Sequence, residues 1–125
     1  MTKCIFCDFQ EQNEILFNFN YFYAMLDNYP VTEYHTLIIS RTHKETFFDL
    51  STKEKDDLMK TTEIIKYTTE SKDHSITGWN IGMNCGKSSG QTVPHFHLHM
   101  IPRRDGDMEN PKGGVRGVIP HKQKY

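Results

Sequence analysis

Large apolar residues and histidines alternate strictly over residues 95–100. The order is His95-Phe96-His97-Leu98-His99-Met100. Strict alternation predicts a strand, because successive side chains of a strand point to opposite faces. The apolar residues then face the core, and the histidines line the other face, each about 6.5–7 Å from the next. Pro94 and Pro102 bracket the run at strand ends, where proline is tolerated.

Similar patterns predict the other elements of the chain. Runs rich in β-branched, aromatic and other apolar residues predict four more strands, over residues 14–18, 21–26, 35–40 and 78–84. Ser51 followed three residues later by Glu54 forms a capping box, which signals the start of a helix. Apolar residues and threonines then recur at helical spacing, and they predict a helix over residues 52–71 with a solvated, charged face.

The composition favours a single globular domain over residues 1–125. The chain has 125 residues, 36% of them hydrophobic and 12% aromatic, which is enough for one core but not for two. A net charge of −1 gives no bulk field for long nucleic acid or an anionic membrane. No apolar stretch approaches a membrane span and the N-terminus has no signal-peptide pattern, so the cytoplasm is the expected compartment.

Cys4 and Cys7 form a Cys-x-x-Cys pair near the N-terminus. The chain has three cysteines, an odd number that fits a reducing compartment better than a disulfide framework. A pair this close can chelate one zinc ion from a tight turn, although two further ligands must then come from elsewhere. A redox role is the rival interpretation, but the pair lacks the βαβ surroundings typical of redox motifs.

Three interpretations of the alternating histidines are open from the residues alone. The least favoured is a half-exposed strand whose polar face is histidine by accident, because all three histidines oppose large apolar residues. A His-x-His pair can also chelate zinc or another transition metal through its imidazoles. Finally, a neutral imidazole is a competent nucleophile near pH 7, with its neighbours positioning the reacting group.

The residues around the histidines resemble a known family. Residues 95–101 follow the pattern His-φ-His-φ-His-φ-φ, where φ is apolar, with Gly-Gln-Thr at 90–92 and Pro-Arg at 102–103. Residues 30–43 add His35 ahead of an apolar strand. Together these segments resemble the histidine triad (HIT) superfamily of nucleotide hydrolases and transferases, in particular its branch of dinucleoside polyphosphate hydrolases.

The resemblance covers the chain from about residue 4 to about residue 104. It implies an α+β fold, with an antiparallel sheet of about five strands, one main helix and a short N-terminal zinc-binding segment. Residues 105–125 lie outside it as a C-terminal arm, in which residues 115–120 form either an added strand or an arm. Arg116 or Lys122 of this arm reaches a polyphosphate in one interpretation, and in the other the arm packs on a partner subunit.

The resemblance also implies the residues of an active site. His97, the central histidine, is the expected nucleophile toward an α-phosphorus, and water then cleaves the nucleotidyl-imidazole. His99 is expected to donate to the phosphoryl oxygens or the leaving group as a general acid. Asp27 is expected to bind ribose, and His35 to hydrogen-bond within the triad. The expected phosphate contacts are backbone N–H groups of the loop before the triad and three side chains: Asn84, Gln91 and Thr92.

The same resemblance completes the metal site. In zinc-binding relatives, two N-terminal cysteines are joined by a histidine after the central strand and by the first histidine of the triad. The matching residues here are His43 and His95, which join Cys4 and Cys7. A site closed by four protein ligands is structural, because no position stays open for water or substrate. We therefore expect a structural zinc and no requirement for a catalytic metal.

The function implied is a nucleotide hydrolase or nucleotidyl transferase. Its expected substrate is a phosphoanhydride, either a dinucleoside polyphosphate such as diadenosine tetraphosphate or an adenylated nucleotide. A purine nucleoside phosphoramidase, which differs in the leaving group, is one alternative. A nucleotide-binding regulatory HIT protein with little turnover is another. The expected partners are a small nucleotide and a second copy of the chain, since relatives usually dimerise.

Overall fold

Five strands form one antiparallel sheet in a computed structural model that describes residues 4–9 and 15–125. The strands are β1 (Phe17–Asn18), β2 (Phe22–Leu26), β3 (Thr36–Ser40), β4 (Ile76–Gly82) and β5 (His97–Arg104). They lie in the order β1-β2-β3-β5-β4, so β5 is paired on both sides and β4 is an edge. Two α-helices accompany the sheet, the short α1 (Ile5–Phe9) and the long α2 (Thr52–Lys72). The expected α+β fold, with five antiparallel strands and one main helix, is confirmed.

The two faces of the sheet carry separate apolar clusters. The face under α2 packs these buried residues: Phe22, Ala24, Ile38, Leu50, Leu58, Ile65, Phe96, Leu98 and Met100. The opposite face packs α1 against the central strands: Phe6, Tyr23, Met25, Leu37 and Ile39. His97 and His99 pair in register with Ile39 and Leu37, and directly opposed residues share a face. The predicted division into an apolar core face and a histidine face is confirmed over residues 97–100. β5 begins at His97, however, so His95 and Phe96 precede the strand that was expected to contain them, and His95 is fully buried.

α2 begins at the predicted capping box. Ser51 Oγ accepts the Glu54 N–H at 3.1 Å, and the Glu54 carboxylate accepts the Ser51 N–H at 2.8 Å. An N-cap of this kind contributes about 1 kcal/mol to stability. The helix predicted over residues 52–71 is confirmed and extends one residue further, to Lys72. No helix in the described part of the chain has the length and apolar character needed to cross a membrane.

The bounds of β1 and β4 differ from those predicted. Only the last two residues of the predicted strand 14–18 form β1, and residue 14 lies outside the described part of the chain. β4 lies two residues earlier than the predicted 78–84, because its pairing with β5 ends where Gly82 opposes His99. The residues after Gly82, which were predicted to be in the strand, therefore lie in a loop beside the histidines.

The C-terminal arm forms 3-10 helices over Gly114–Val118 and Pro120–Lys122, so the added-strand alternative is wrong. Gly113 and Gly114 have φ of 90° and 46°, a left-handed conformation that favours glycine and turns the chain into the first helix. Pro120 begins the second helix, where its fixed φ suits a helix start. The first of these helices packs beside β4.

Candidate functional site

The histidine face of the sheet opens into a cavity of about 370 Å³. Its apolar walls come mainly from α1 and the central strands: Ile5, Phe6, Phe9, Met25, Leu37 and Val93. Its polar lining includes five of the predicted site residues: Asp27, Asn84, Thr92, His97 and His99. His35 and Gln91 lie outside this lining. An apolar pocket with a few convergent polar groups is the usual form of a small-ligand site.

His97 is oriented by the backbone. Its Nδ1 lies 2.9 Å from the His95 carbonyl oxygen, so Nδ1 donates, because a carbonyl oxygen can only accept. A neutral imidazole carries one N–H, and Nε2 of His97 therefore keeps its lone pair. Phe6 packs edge to face on the His97 ring, with centroids 4.9 Å apart, and restricts its rotation. His97 can thus act as a nucleophile through Nε2.

A second backbone group determines which ring nitrogen carries the hydrogen in His35 and in His99. The Val31 N–H donates to His35 Nδ1 at 3.0 Å, which leaves the hydrogen of His35 on Nε2. This Nε2 lies 2.9 Å from His99 Nδ1 and donates to it. His99 must then carry its own hydrogen on Nε2. His99 is thus a hydrogen-bond donor, whereas His97 offers a lone pair.

Burial keeps this chain of imidazoles neutral. The pKa of His99 is lowered to about 4, and burial is the largest cause. The charges of His97 and His35 lower this pKa further, whereas the charge of Asp27 raises it. Burial also lowers the pKa of His35, against a smaller opposing effect of Asp27. Both rings are therefore neutral at pH 7. If His99 were protonated, its Nδ1–H would face the Nε2–H of His35, and the hydrogen bond between the two rings would be lost.

Asp27 lies against His35, which is buried, and His99, which is partly buried. Its Oδ1 accepts the Tyr29 N–H at 2.8 Å, and its Oδ2 lies 3.4 Å from His35 Nε2 and 3.9 Å from His99 Nδ1. These three side chains bring ligand atoms within 4.8 Å of one another, as a metal site would. A metal would need the lone pair of His35 Nε2, but the Val31 N–H bond places the hydrogen there. The group is a hydrogen-bonded relay rather than a metal site.

A different group brings together the four predicted metal ligands. The donor atoms of Cys4, Cys7, His43 and His95 all lie within 4.8 Å of one another. His95 Nδ1 is 3.1 Å from Cys4 Sγ, 3.5 Å from Cys7 Sγ and 3.2 Å from His43 Nδ1. Donor atoms around a tetrahedral zinc are about 3.3–3.8 Å apart, given metal–ligand lengths of about 2.0–2.3 Å. The spacing therefore fits one tetrahedral metal ion.

Ser40 determines which nitrogen of His95 is available to a metal. The Ser40 carbonyl oxygen accepts the His95 Nε2–H at 2.7 Å. Nδ1 therefore keeps its lone pair, and this is the nitrogen that faces the cysteines. A metal-binding histidine usually donates its other N–H to a carbonyl or carboxylate in this way. His95 is fully buried and does not line the cavity.

Without a cation, the Cys7 thiol disfavours ionisation. The pKa of Cys7 is raised to about 11, chiefly by burial and to a smaller extent by the hydrogen bond and charge of Cys4 and by the charge of Asp8. A divalent cation reverses this effect, because it stabilises coordinated thiolates. Two cysteines and two histidines are a common donor set for zinc. The chemistry of the group and its spacing thus agree.

Contacts outside the group hold its two halves in place. On one side, the Tyr23 hydroxyl donates to the Phe6 carbonyl oxygen and fixes α1 on the sheet. On the other, Thr42 precedes His43 and donates its hydroxyl to the Glu54 carboxylate at 3.0 Å. Glu54 is itself held by the capping box of α2. The start of the main helix therefore fixes the loop that carries His43.

Gln91 supports the loop before the triad. Its amide nitrogen donates to the carbonyl oxygens of Glu45 at 2.7 Å and Val93 at 3.1 Å, and its Oε1 accepts the Gly86 N–H at 2.8 Å. The side-chain amide is thus engaged within the protein. Direct contact between Gln91 and phosphate stays a prediction, and this geometry favours an indirect role through the loop.

Several backbone donors of this loop are also engaged. Three of its N–H groups bond to carbonyl oxygens of Gly86 and Lys87: those of Ser89, Gly90 and Gln91. The loop lines the cavity at Asn84, Gly90 and Thr92, and of these Asn84 and Thr92 bring polar side chains to it. These two side chains are the predicted phosphate contacts that the fold brings beside the histidines.

Two features of the site were missed by sequence reasoning. One is the apolar wall from α1, whose signal was the presence of Ile5, Phe6 and Phe9 around the cysteine pair. The other is the set of backbone groups that orient the imidazoles, such as the Val31 N–H and the Ser40 carbonyl. Backbone partners leave no side-chain signature, so the sequence held no sign of them.

The predicted role of the arm in binding polyphosphate gains no support from the geometry. The Arg116 guanidinium donates to the carbonyl oxygens of Gln123 at 3.2 Å and Lys122 at 3.1 Å. It also lies 5.0 Å from the centre of the Tyr125 ring. Neither Arg116 nor Lys122 lines the cavity.

Comparison with known proteins identifies a family for the chain. The HIT domain model matches residues 8–106. An uncharacterized HIT-like protein of Saccharolobus solfataricus is 32% identical over 97% of this chain and 86% of its own length. A bis(5'-adenosyl)-triphosphatase of Dictyostelium discoideum is 32% identical over 79% of this chain and 66% of its own. An adenosine 5'-monophosphoramidase of Saccharomyces cerevisiae is 34% identical over 83% of this chain and 65% of its own.

Solved structures give the same result for the fold. A HIT family protein of Bacillus anthracis superposes with a TM-score of 0.77 at 32% identity, over 84% of this chain and 76% of the other. A zinc-bound histidine triad family protein of Mycobacterium smegmatis superposes with a TM-score of 0.77 at 31% identity, over 86% of this chain and 80% of the other.

Proposed function

This chain belongs to the HIT family, and on that premise we propose that it hydrolyses a nucleotide at its α-phosphorus through a covalent intermediate on His97. The observation that carries the proposal is that two neighbouring imidazoles have their hydrogens on different ring nitrogens. His97 has a lone pair on Nε2, and His99 has a hydrogen on Nε2. The ring centroids are 5.3 Å apart, so one ligand can contact both.

The reaction proceeds in two displacements at phosphorus. In the first, Nε2 of His97 forms a bond to the α-phosphorus, and the leaving group departs with the electron pair of its own bond. The His99 Nε2–H donates to the phosphoryl oxygen or to the leaving group. In the second, water attacks the phosphorus, the bond to His97 breaks with its electron pair returning to Nε2, and the surplus proton goes to solvent. A histidine nucleophile thereby splits one difficult step into two easier ones.

The cavity residues have separate roles in binding. The apolar wall of Ile5, Phe6 and Phe9 holds the nucleobase, and Asp27 accepts hydrogen bonds from the ribose hydroxyls. Asn84 and Thr92 contact the phosphate oxygens, while Gln91 keeps the loop in shape. His35 holds His99 in its donor state.

A structural zinc completes the proposal. Cys4, Cys7, His43 and His95 would hold it, and the zinc-bound M. smegmatis neighbour supports this assignment. With four protein ligands the metal contributes to folding and offers no open position for chemistry. No catalytic metal is required, because the nucleophile and the donor are both imidazoles.

The activities named for two relatives differ in the leaving group of the substrate. The D. discoideum protein is named for a dinucleoside triphosphate and the S. cerevisiae protein for a phosphoramidate. The chain spans about two thirds of the length of each. Both names share an adenosine 5'-phosphoryl group. We therefore place an adenylyl group in the cavity for either kind of substrate, a dinucleoside polyphosphate or an adenosine phosphoramidate.

A substrate panel with product analysis tests the proposed function. Diadenosine tetraphosphate, diadenosine triphosphate and adenosine 5'-phosphoramidate are each incubated with wild type, His97→Ala and His74→Ala. His74 is an exposed histidine away from the cavity and serves as the matched control. AMP release by wild type and His74→Ala but not by His97→Ala is expected. Tight nucleotide binding with negligible turnover of every substrate would favour a regulatory protein instead.

A further inference from the structure

The metal group connects two separate parts of the fold. Cys4 directly precedes α1 and Cys7 lies within it, whereas His43 follows β3 and His95 precedes β5. Cys4 Sγ lies 3.1 Å from His95 Nδ1, and Cys7 Sγ lies 3.4 Å from His43 Nδ1. Each cysteine of the helix therefore faces a histidine of the sheet. A cation bound to all four side chains would link α1 to the sheet.

One side of this group is open to solvent. His43 is exposed, and Cys4 and Cys7 are half-buried, whereas His95 is fully buried. A small oxidant such as hydrogen peroxide can therefore reach the sulfur atoms in the folded protein. Cysteines that are both accessible and held as thiolates are the ones most readily oxidised, and coordination to a cation keeps a thiol deprotonated.

The two sulfur atoms are also close enough to react with each other. They lie within 4.8 Å of one another, and their Cys-x-x-Cys spacing is that of redox-active cysteine pairs. The Cys4 carbonyl oxygen accepts the Asp8 N–H at 3.0 Å, so both cysteines belong to the same turn of the chain. Rotation of the two side chains can therefore bring the sulfurs to the bond length of a disulfide, about 2.05 Å, without movement of the sheet.

A disulfide would hold α1 less firmly than a coordinated cation. It would join Cys4 to Cys7 within one turn and leave both histidines unconnected to the helix. The hydrogen bond from the Tyr23 hydroxyl to the Phe6 carbonyl and the apolar contacts of α1 with the sheet would remain. Because five residues are too few for a stable isolated helix, losing the link to the histidines should loosen α1.

α1 also forms part of the nucleotide cavity. Ile5, Phe6 and Phe9 of this helix line the cavity. The ring centroid of Phe6 lies 4.9 Å from that of His97 and 5.9 Å from that of His95. Loosening of α1 would therefore disturb the apolar wall and the packing on the proposed nucleophile together.

We propose that Cys4 and Cys7 are a peroxide-sensitive pair, and that their oxidation to a disulfide releases the metal and weakens nucleotide binding. The inference goes beyond nucleotide hydrolysis, and it rests on the structural zinc and the nucleotide cavity of the proposed function. One thiolate attacks a peroxide oxygen, the O–O bond breaks, and a sulfenic acid and a hydroxide form. The other thiolate attacks the sulfenic sulfur, the S–O bond breaks, and a disulfide and a second hydroxide form. Two electrons pass from the sulfurs to the peroxide, and both hydroxides take protons from solvent.

Peroxide treatment of zinc-loaded Cys85→Ser protein tests the inference. Cys4 and Cys7 are the remaining cysteines in this variant, so every thiol that is lost belongs to the pair. The measurements are zinc released to a chromogenic chelator, free thiols after denaturation, disulfides by peptide mapping, and the Kd for AMP by calorimetry. The matched control is Cys4→Ser in the same background, which cannot form the disulfide. Circular dichroism establishes that each protein is folded.

Peroxide should release zinc in proportion to the loss of thiols, and peptide mapping should locate the disulfide between Cys4 and Cys7. The Kd for AMP should rise about tenfold or more, the size of effect that a few lost apolar contacts produce. The oxidised protein should stay folded and melt at a lower temperature. Dithiothreitol with added zinc should reverse every change, whereas methionine sulfoxide is repaired only by dedicated reductases. Folded Cys4→Ser should already have the weaker affinity for AMP, and peroxide should change it less than about twofold.

Retention of zinc and of both thiols in peroxide would overturn the inference and leave the structural zinc in place. A Cys4–Cys7 disulfide with an unchanged Kd for AMP would contradict the link between the pair and the cavity wall, and so would global unfolding on oxidation. Protein that neither contains zinc nor binds added zinc would remove the zinc assignment and this inference together. Absence of turnover with every substrate, in protein that binds AMP and responds to peroxide as expected, would remove the proposed hydrolysis alone.

Discussion

Backbone groups determine what each histidine of the site can do. The His95 carbonyl takes the Nδ1–H of His97, and the Ser40 carbonyl takes the Nε2–H of His95. The Val31 N–H sets the hydrogen of His35, which in turn sets that of His99. Neighbouring histidines thereby present different ring nitrogens, as the proposed roles of nucleophile, metal ligand and hydrogen-bond donor require.

The neutral state of His99 predicts how stability depends on pH. The pKa of His99 is about 4 in the folded protein and about 6.5 in an unfolded chain. The unfolded chain therefore binds more protons between these values, and stability is lost as the pH falls from about 6.5 to about 4. Urea unfolding at several pH values in this range measures the loss. The loss should be smaller in His99→Gln, and an equal loss in both proteins would contradict a neutral, partly buried His99.

Asp27 gives a second prediction at the scale of one residue. Asp27→Ala should weaken AMP binding by about 1–3 kcal/mol, the cost of a lost hydrogen bond to a charged group. Calorimetric titration with AMP and with 2',3'-dideoxy-AMP separates the ribose contact from effects on His35 and His99. The dideoxy ligand should bind equally to wild type and variant. Equal losses for the two ligands would rule out a ribose contact.

At the scale of elements, α1 has two roles. It begins at Ile5, between the cysteines of the metal group, and it forms the apolar wall of the cavity. Its five residues are too few for a helix to be stable alone. The contact with Tyr23 holds it on the sheet, and coordination of a metal by Cys4 and Cys7 would hold it further. A metal in this group would thus support the wall of the cavity as well as the fold.

Cys4→Ser tests this link between metal and fold. Wild type should hold about one zinc per chain, and the variant should lose it and melt at a lower temperature, because metal binding contributes to folding. Cys85→Ser is the matched control, since Cys85 lies outside the metal group, and it should keep both zinc content and melting temperature. Folded Cys4→Ser should still form the His97 adduct.

A catalytic metal on the triad would give the opposite results. Mild chelation would then stop turnover at once in protein that stays folded by circular dichroism, and Cys4→Ser would keep its metal. Metal content, melting temperature and initial rate measured together on wild type and both variants distinguish the two cases.

At the scale of the whole molecule, the elements marked by repeating side-chain patterns could be predicted from the sequence, whereas backbone geometry could not. Alternation located the triad strand and its two faces, and the Ser51–Glu54 box located the start of α2. The sequence left residues 115–120 as either an added strand or an arm, because glycines at 113 and 114 permit conformations that apolar periodicity does not reveal. The role of Gln91 was also hidden, since its partners are backbone atoms of Glu45, Val93 and Gly86.

Association with a second copy of the chain is also a property of the whole molecule. A homodimer stays a prediction from the family resemblance. β4 is an edge of the sheet, and α2 exposes Met59 and Tyr67, so both elements offer surface to a second copy. The expected cytoplasmic location and the division into a domain core and an arm likewise stay predictions.

Trapping the covalent intermediate tests the central claim most directly. Wild type is mixed with adenosine 5'-phosphoramidate, quenched within one turnover, and measured by intact-protein mass spectrometry and peptide mapping. The account predicts a gain of one adenylyl group, located on His97, absent in His97→Ala and formed more slowly in His99→Ala. Turnover at the wild-type rate in His97→Ala, or an adenylyl group mapped to another residue, would contradict it.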